Sequence, residues 1–236
     1  MTHPSIPTWS FSRLQDFESC KYKAFLKYVK KEPEGERVLP PGKLEHPLDR
    51  GNRVHLDAEK YVTEDGPLTP ELRHFKEDLS ALKVLHAKGV VEVEQEWAMD
   101  KLWQPTGWAV PETWLRLKLD AFVQTETGKA TVIDHKTGKK FGNEVKHAEQ
   151  GQLYQLVSFI KYPELHEITV EFWYLDLNDI SKITYSRDSG MRLLERFDKR
   201  GKAFTECTNF EPNPNLFSCK FCPYGKKGTG ICTHAV

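Results

Sequence analysis

Residues 115–138 have the sequence LRLKLDAFVQTETGKATVIDHKTG, which predicts two adjacent strands. The first strand is predicted over residues 115–123. In residues 115–120, leucine alternates with arginine, lysine and aspartate, which is the two-residue period of a strand with one apolar and one polar face. Residues 130–136 predict the next strand, and the turn-like residues 125–129 join the two. The stretch as a whole therefore predicts a β-hairpin.

The polar face of this hairpin carries the residues that indicate a chemistry. If the two strands pair, Asp120 and Asp134 converge near the strand ends, and two neighbouring carboxylates bind a hard divalent cation such as Mg²⁺ through oxygen. Lys136 shares a strand face with Asp134 and is placed to hold an attacking water or to offset charge on a phosphate. An Asp-x-Lys pair alone is often a surface ion pair, so the second carboxylate is what favours a catalytic site.

The rest of the chain predicts an α/β protein in which a mixed central sheet is flanked by helices. Its predicted helices cover residues 10–31 (with a break or restart at Cys20), 52–62, 69–89, 147–160 and 189–205, and its further strands cover residues 90–99, 167–177 and 181–186.

Composition excludes some classes of function. The 236 residues contain 34 basic and 34 acidic side chains, so a strongly basic arm is excluded as a nucleic-acid ligand, although a locally basic groove is not. No run of 18 apolar residues is present, so no membrane span is expected. The first residues contain no apolar signal segment, which predicts a cytoplasmic protein.

The cysteines favour a metal or cluster site over disulfides. Three of the five, Cys219, Cys222 and Cys232, lie within the last eighteen residues, and a C-x-x-C turn lets two thiolates bind one metal centre. Three thiolates leave such a site one ligand short. Cys207 is left over and is expected to be a buried or free thiol.

The order of several short motifs resembles the PD-(D/E)XK nuclease superfamily. Asp120 followed by residues 133–138 (IDHKTG) resembles its D…(D/E)xKTG pattern. Residues 51–55 (GNRVH), 150–154 (QGQLY) and 10–20 (SFSRLQDFESC) resemble the G-x-x-x-H, Q-x-x-x-Y and S-x-S-x-L…F…C motifs of the RecB-like branch, which includes the AddB nuclease domain, exonuclease V and CRISPR-adaptation nucleases. The resemblance extends from residue 10 to residue 232.

This resemblance implies a fold and a set of site residues. The fold would be restriction-endonuclease-like, forming a single nuclease domain over residues 1–236 with a core at 48–206. The implied ligands of Mg²⁺ or Mn²⁺ are His55, Asp120, Asp134 and the carbonyl of His135. The implied catalytic residues are Asp120, Asp134, Lys136, Gln150 and Tyr154, and the implied DNA contacts are Lys139, Lys140 and Tyr154.

The resemblance also implies a [4Fe–4S] cluster that joins the two ends of the chain. Cys20 would be its fourth ligand beside Cys219, Cys222 and Cys232, so that the segments 10–31 and 207–236 bind it together. Zn²⁺ held by three or four of these thiolates, with His234 as a further donor, is the alternative. The nine residues between Cys222 and Cys232 form a longer gap than in many family members. Because residues 224–230 within this gap are expected to be flexible and are basic, a site with four cysteine ligands remains feasible.

The function implied is a metal-dependent DNA nuclease. We expect an exonuclease that acts on single-stranded DNA or duplex ends in recombination, replication or repair, beside a helicase or recombination partner. The alternative is a non-catalytic or partner-dependent DNA-binding subunit with the same fold. Polarity and oligomeric state stay open.

Overall fold

The computed structural model describes residues 3–36, 39, 42 and 44–236 and contains one six-stranded mixed sheet. In space the strands follow the order β2-β1-β3-β4-β5-β6; β4 and β5 run parallel, and the other four neighbouring pairs run antiparallel. The predicted α/β class with a mixed central sheet is confirmed. The strands are β1 (Val91–Met99), β2 (Pro105–Thr106), β3 (Leu115–Glu126), β4 (Lys129–Lys136), β5 (Glu167–Tyr174) and β6 (Asp179–Ser186).

Helices cover both faces of the sheet. They are α1 (Phe11–Ser19), α2 (Lys21–Ala24, continued by the π-helical turn Phe25–Val29), α3 (Pro47–Thr63), α4 (Lys76–Ala87, preceded by the 3₁₀ turn Pro70–Phe75), α5 (Glu144–Lys161), α6 (Arg187–Met191), α7 (Leu194–Thr205) and α8 (Leu216–Lys220). Within the described ranges, no helix combines the length and apolar character that crossing a bilayer requires.

Two apolar layers hold the sheet between these helices. The larger layer packs α1, α5 and α7 against one face and includes Trp9, Trp114 and Phe204. The smaller layer packs α3 and α4 against the other face and includes Val54 and Leu79. The α5 segment connects the parallel strands β4 and β5, as a parallel pair requires a crossover.

Several helix boundaries differ from the sequence prediction. The helix predicted over residues 10–31 breaks and restarts at Cys20 as expected, because the backbone there is extended (φ −164°, ψ 113°), but its last part is the π-helical turn Phe25–Val29, which ends before residue 31. The helix predicted over 52–62 begins earlier, at Pro47, because proline suits a first helical position and the His46 ring accepts a hydrogen bond from the Leu48 amide. The helix predicted over 189–205 is divided into α6 and α7.

The predicted hairpin is confirmed, and its register positions the site. Strands β3 and β4 pair through Ala121↔Ile133, and the next residue on each strand is Asp120 and Asp134, respectively. The backbone N–H of His135 donates to the Asp120 carboxylate at 2.5 Å, where the regular strand pairing ends. The hairpin thus places both carboxylates at the point where the regular pairing of β3 with β4 ends.

Candidate active site

The middle of β3 and the end of β4 line a cavity of about 630 Å³ that is bounded on one side by α3. Gly51 lies on α3 opposite the loop that follows β4, and an added Cβ there would lie 3.3 Å from the Thr137 hydroxyl oxygen. The small residue lets the helix approach closely, one turn before His55. The side chains around the cavity include His55, Glu59, Glu94, Asp120, Asp134, Lys136, Gln150 and Tyr154.

Three side chains form a group that is able to hold a metal ion. Ligand atoms of His55, Asp120 and His135 lie within 4.8 Å of one another. The Nδ1 atom of His55 is 2.9 Å from the Asp120 carboxylate, and the Nε2 atom of His135 is buried with no hydrogen-bond partner in the structure. Carboxylate oxygen suits both Mg²⁺ and Mn²⁺, and imidazole nitrogen suits Mn²⁺ better than Mg²⁺.

The electrostatics of this group favour binding of a cation. Burial alone would raise the pKa of Asp120, but the hydrogen bond and the charge of His55 hold that pKa below its usual value. Burial would lower the pKa of His55, yet the bond to Asp120 and the nearby carboxylates raise it. Burial lowers the pKa of His135, which therefore stays neutral. Since metal ligation requires neutral imidazole, binding of a cation here would compete with protonation of His55.

Asp134 lies in the same cavity but has other partners. Its carboxylate is 2.5 Å from the ammonium of Lys136 and accepts a hydrogen bond of 2.8 Å from the hydroxyl of Tyr154. Sequence reasoning places Asp134 and the carbonyl of His135 among the metal ligands, whereas the structure groups the imidazole of His135 with His55 and Asp120. The role of Asp134 as a ligand stays a prediction.

Helix α5 supplies the side chains that hold Lys136 and Asp134 in place. Gln150 and Tyr154 are four residues apart and share a helix face. Gln150 accepts from Lys136 at 2.9 Å and donates to the Tyr154 hydroxyl at 2.6 Å, so the four side chains form one network. Burial, followed by the charge of Asp134, raises the pKa of Tyr154 well above its usual value, and the hydroxyl remains a donor.

The predicted DNA contacts have different surroundings. Tyr154 is 4% exposed with its hydroxyl directed at Asp134, which favours a positioning role over contact with DNA. Lys140 pairs with Asp179 at 2.5 Å and lies over the ring of Tyr174. Lys139 is exposed. The sequence gives no means to distinguish these environments within one Lys-rich loop.

Glu94 is a site residue that sequence reasoning missed. It lines the cavity, its side chain is half-buried, and it forms an ion pair of 2.7 Å with Lys118. Its φ of 52° is unusual for a residue other than glycine, and the ladder between β1 and β3 omits the pair Glu94–Asp120. Burial raises the pKa of its carboxyl. Alternating glutamates in β1 give no hint of this irregularity.

The four cysteines predicted to act together line a separate cavity of about 230 Å³ between α1, α2 and the C-terminal segment. All four are free thiols. The sulfur of Cys20 accepts a hydrogen bond of 3.4 Å from the backbone N–H of Asn213, and the hydroxyl of Tyr224 donates to the carbonyl of Glu32 at 3.0 Å. The two ends of the chain therefore meet around these thiols. Cys207 lies outside this set.

The chain is similar to a solved structure and to a protein family. The crystal structure of SSO0001 matches with a TM-score of 0.47 and 15% sequence identity, covering 98% of this chain and 87% of that chain. No curated protein matches the chain closely enough to count as a relative. A family model described as the PD-(D/E)XK nuclease superfamily matches residues 8–226, a span that contains the hairpin, its carboxylates and the lysine. With a match over nearly its whole length, the chain belongs to the PD-(D/E)XK nuclease superfamily.

Proposed function

We propose that this protein is a deoxyribonuclease of the RecB-like branch that uses Mg²⁺ or Mn²⁺, and that it degrades single-stranded DNA or duplex ends as an exonuclease. Membership of the superfamily implies metal-dependent nuclease chemistry. The observation that carries the proposal is that Asp120, Asp134 and Lys136 share one cavity with His55. The order of the sequence motifs supports the branch, and with it a role in recombination, replication or repair beside a helicase or recombination partner.

The donor set of the cavity fits a divalent cation held by His55, Asp120 and His135, with Asp134 beside them. Such an ion would supply an acidified water and a positive charge for the phosphate oxygens. The chain itself supplies the remaining groups. Lys136 presents its ammonium to the same cavity and can donate to a phosphate oxygen or to the attacking water. Tyr154 and Gln150 keep Asp134 and Lys136 in fixed positions through the network described above.

A [4Fe–4S] cluster bound by Cys20, Cys219, Cys222 and Cys232 is the second part of the proposal. A tetrahedral zinc ion with Zn–S bonds of about 2.3 Å would hold its sulfur atoms about 3.8 Å apart. Within the described part of the chain, the four cysteines do not form a group close enough to hold a single ion, whereas the residues around Asp120 do. A cavity ringed by separated thiols suits a cluster, in which each cysteine binds a different iron.

The test is a cleavage assay on end-labelled DNA, linear and circular, with Mn²⁺, Mg²⁺ or EDTA. We expect linear DNA to be degraded, circular DNA to be spared, and EDTA to stop the reaction. Asp134→Asn should lower the rate by about a thousandfold, the scale of losing a group that stabilises transition-state charge. Asp78→Asn, at an exposed position on α4, is the matched control and should keep the wild-type rate.

Each part of the proposal has its own contrary result. Cleavage of circular DNA would show an endonuclease instead of an exonuclease. Full activity of Asp134→Asn would reject this active site. Binding of DNA with no cleavage under any metal would favour the alternative, a non-catalytic or partner-dependent DNA-binding subunit.

A further inference from the structure

A second cavity, of about 540 Å³, adjoins the active site on the side of α1. The two cavities share the side chains of Lys118, Lys136, Gln150 and Tyr154, so they form one continuous cleft. We call this second cavity the basic pocket. Its other lining residues come from residues 8–13, from Trp108, from Arg116 and Leu117 on β3, and from the start of α5.

The basic pocket concentrates positive charge in a protein with no net charge. Arg13, Arg116, Lys118, Lys136 and Lys146 line it, and no aspartate or glutamate is among its described lining residues. A concave surface with cations of one sign focuses the field and attracts anions. The metal-side cavity differs, because there the lysines face carboxylates.

Arg116 differs from the two lysines that the basic pocket shares with the active site. Lys118 and Lys136 are paired with Glu94 and Asp134. By contrast, the Nε atom of Arg116 is buried and has no hydrogen-bond partner in the structure. Its guanidinium lies 5.2 Å from the centre of the Trp108 ring, a contact that leaves the planar N–H donors available. A donor with no partner within the protein is available to an anionic ligand.

The start of α1 adds donors to the same pocket. Ser10 caps this nine-residue helix by accepting from the Arg13 amide, and the hydroxyls of Ser10 and Ser12 lie 3.2 Å apart. Both serines line the cavity. The N-terminus of a helix carries partial positive charge, which complements an anion that Arg116 would bind from the strand side.

We propose that the basic pocket binds a backbone phosphate of the substrate strand, one or two nucleotides from the bond that is cut, with Trp108 as a surface for the adjoining base. This rests on the proposed function. Arg116 precedes Asp120 by four residues on β3, which separates their Cα atoms by about 13 Å at 3.3 Å per residue. We therefore assign Arg116 to a different phosphate from the one at the metal-binding residues. Combined phosphate pairing and aromatic stacking is how single strands are held without sequence preference.

The experiment measures binding of a fluorescent single-stranded 12-mer in EDTA over a range of salt concentrations. Arg116→Ala should weaken binding about tenfold at low salt, as expected for losing one charged hydrogen bond. It should also reduce the slope of log K against log salt by about 0.7, the value for one phosphate contact on a single strand. Arg116→Lys should keep the slope and recover part of the affinity.

Arg73→Ala is the matched control, because Arg73 is exposed and lines neither cavity. If Arg116→Ala binds and responds to salt as Arg73→Ala does, the pocket does not bind the strand. Comparing oligonucleotides with 5′-phosphate and 5′-hydroxyl ends identifies the source of the phosphate. A loss seen only with the phosphorylated end supports capture of a terminal phosphate, and a loss with both supports an internal one.

The binding assay needs no cleavage, so the two proposals fail separately. A wild-type protein that binds DNA through Arg116 but never cuts it would contradict the nuclease proposal alone. An active wild type whose DNA affinity is independent of Arg116 would contradict the pocket alone. Thermal unfolding of Arg116→Ala and Arg116→Lys excludes a loss of fold as the cause.

Discussion

Tyr154 shows how a residue acts on the site through its neighbour. Its hydroxyl donates to Asp134 and receives a hydrogen bond from Gln150, while its ring is buried. The carboxylate of Asp134 is thereby fixed between an ammonium and a hydroxyl. Lys136 in turn is fixed by Gln150, so a change at either residue of α5 is transmitted to both catalytic candidates on β4.

His147 makes stability depend on pH near the site. Burial, followed by the charge of Lys136, lowers its pKa from 6.5 to about 4, and its Nδ1 lies 2.8 Å from the Tyr174 hydroxyl. Between pH 4 and 6.5 the unfolded chain binds a proton here that the folded protein does not. The free energy of unfolding contributed by His147 should therefore rise with pH across this window and be lost as pH falls toward 4.

Urea unfolding of wild type and His147→Asn between pH 4 and 7 measures this contribution. We expect the variant to show a flatter pH dependence over that interval. His74→Asn, at an exposed position before α4, controls for the loss of a histidine as such. Parallel curves for wild type and His147→Asn would show that His147 does not titrate differently in the folded state.

For individual residues, the sequence predicted the contacts that follow from spacing within one hairpin or one helix. Asp120, Asp134 and Lys136 lie on one hairpin, and Gln150 is one helical turn from Tyr154, so their proximity follows from strand and helix periods. The placement of the His135 imidazole beside His55 does not follow. It depends on how α3, far away in sequence, packs against the end of β4.

Helix α7 is positioned by a glycine that faces a tryptophan cluster. A Cβ added at Gly201 would lie 2.6 Å from the Trp114 ring and 2.7 Å from the Trp9 indole nitrogen. Alanine favours a helix over glycine by about 1 kcal/mol, but overpacking rigid buried rings costs about 1–3 kcal/mol. We expect Gly201→Ala to lower the free energy of unfolding by up to about 2 kcal/mol, measured by urea unfolding.

Lys199→Ala on the same helix is the control, because this side chain is exposed and meets neither tryptophan. It should leave stability unchanged or slightly raised. If Gly201→Ala is as stable as that control, the tryptophan cluster has room to adjust. Trp9 directly precedes Ser10, so the same substitution also tests whether this packing holds the start of α1.

Element boundaries were predicted less well than element types, for local physical reasons. Residues 32–48 resemble a loop by composition, yet Pro47 begins α3 because proline is compatible with a first helical turn. The 3₁₀ turn Pro70–Phe75 has the same apolar stripe as the α-helix that was predicted, since the two helix types differ by a small change in period. Neither difference moves a site residue to another face.

On the scale of the whole molecule, the two ends of the chain form one structural unit. The rings of Tyr22 and His234 pack edge to face at 5.0 Å, and the His3 amide donates to the Thr208 carbonyl. The proposed cluster lies between these segments. By analogy with a covalent link that closes a loop of this length, it would stabilise the fold by about 5 kcal/mol.

Removal of the proposed cluster tests whether it stabilises the fold by linking the two ends of the chain. Protein purified under argon should be brown with broad absorption near 400 nm, as expected for thiolate-bound iron–sulfur centres. Cys219→Ser should lose the colour and unfold at lower urea, while Cys207→Ser, outside the set, should keep both properties. A colourless protein that contains stoichiometric zinc would show that the site binds Zn²⁺ instead of an iron–sulfur cluster. If Cys219→Ser and Cys207→Ser are equally stable, the cysteine site does not stabilise the fold.

The sequence predicted the fold class but not the assembly of the molecule. The strand order β2-β1-β3-β4-β5-β6 and the parallel pairing of β4 with β5 arise from contacts between distant segments. The basic pocket is a similar case, because residues 10–13, 116 and 146–154 meet only once the sheet and both flanking helices are in place. Periodicity within any one of these segments indicates whether it forms a helix or a strand, but it does not indicate which other segment packs against it.

The two faces of β3 also limit how this protein can change during evolution. Leucines 115, 117 and 119 are buried in the core, while Arg116, Lys118 and Asp120 face the cleft. Point substitutions can alter one face and spare the other. Inserting or deleting a single residue within the strand would exchange the faces, directing the charges inward and the leucines outward. Natural length variation should therefore be confined to the turns, and the spacing from Arg116 to Asp120 should be inherited as one unit.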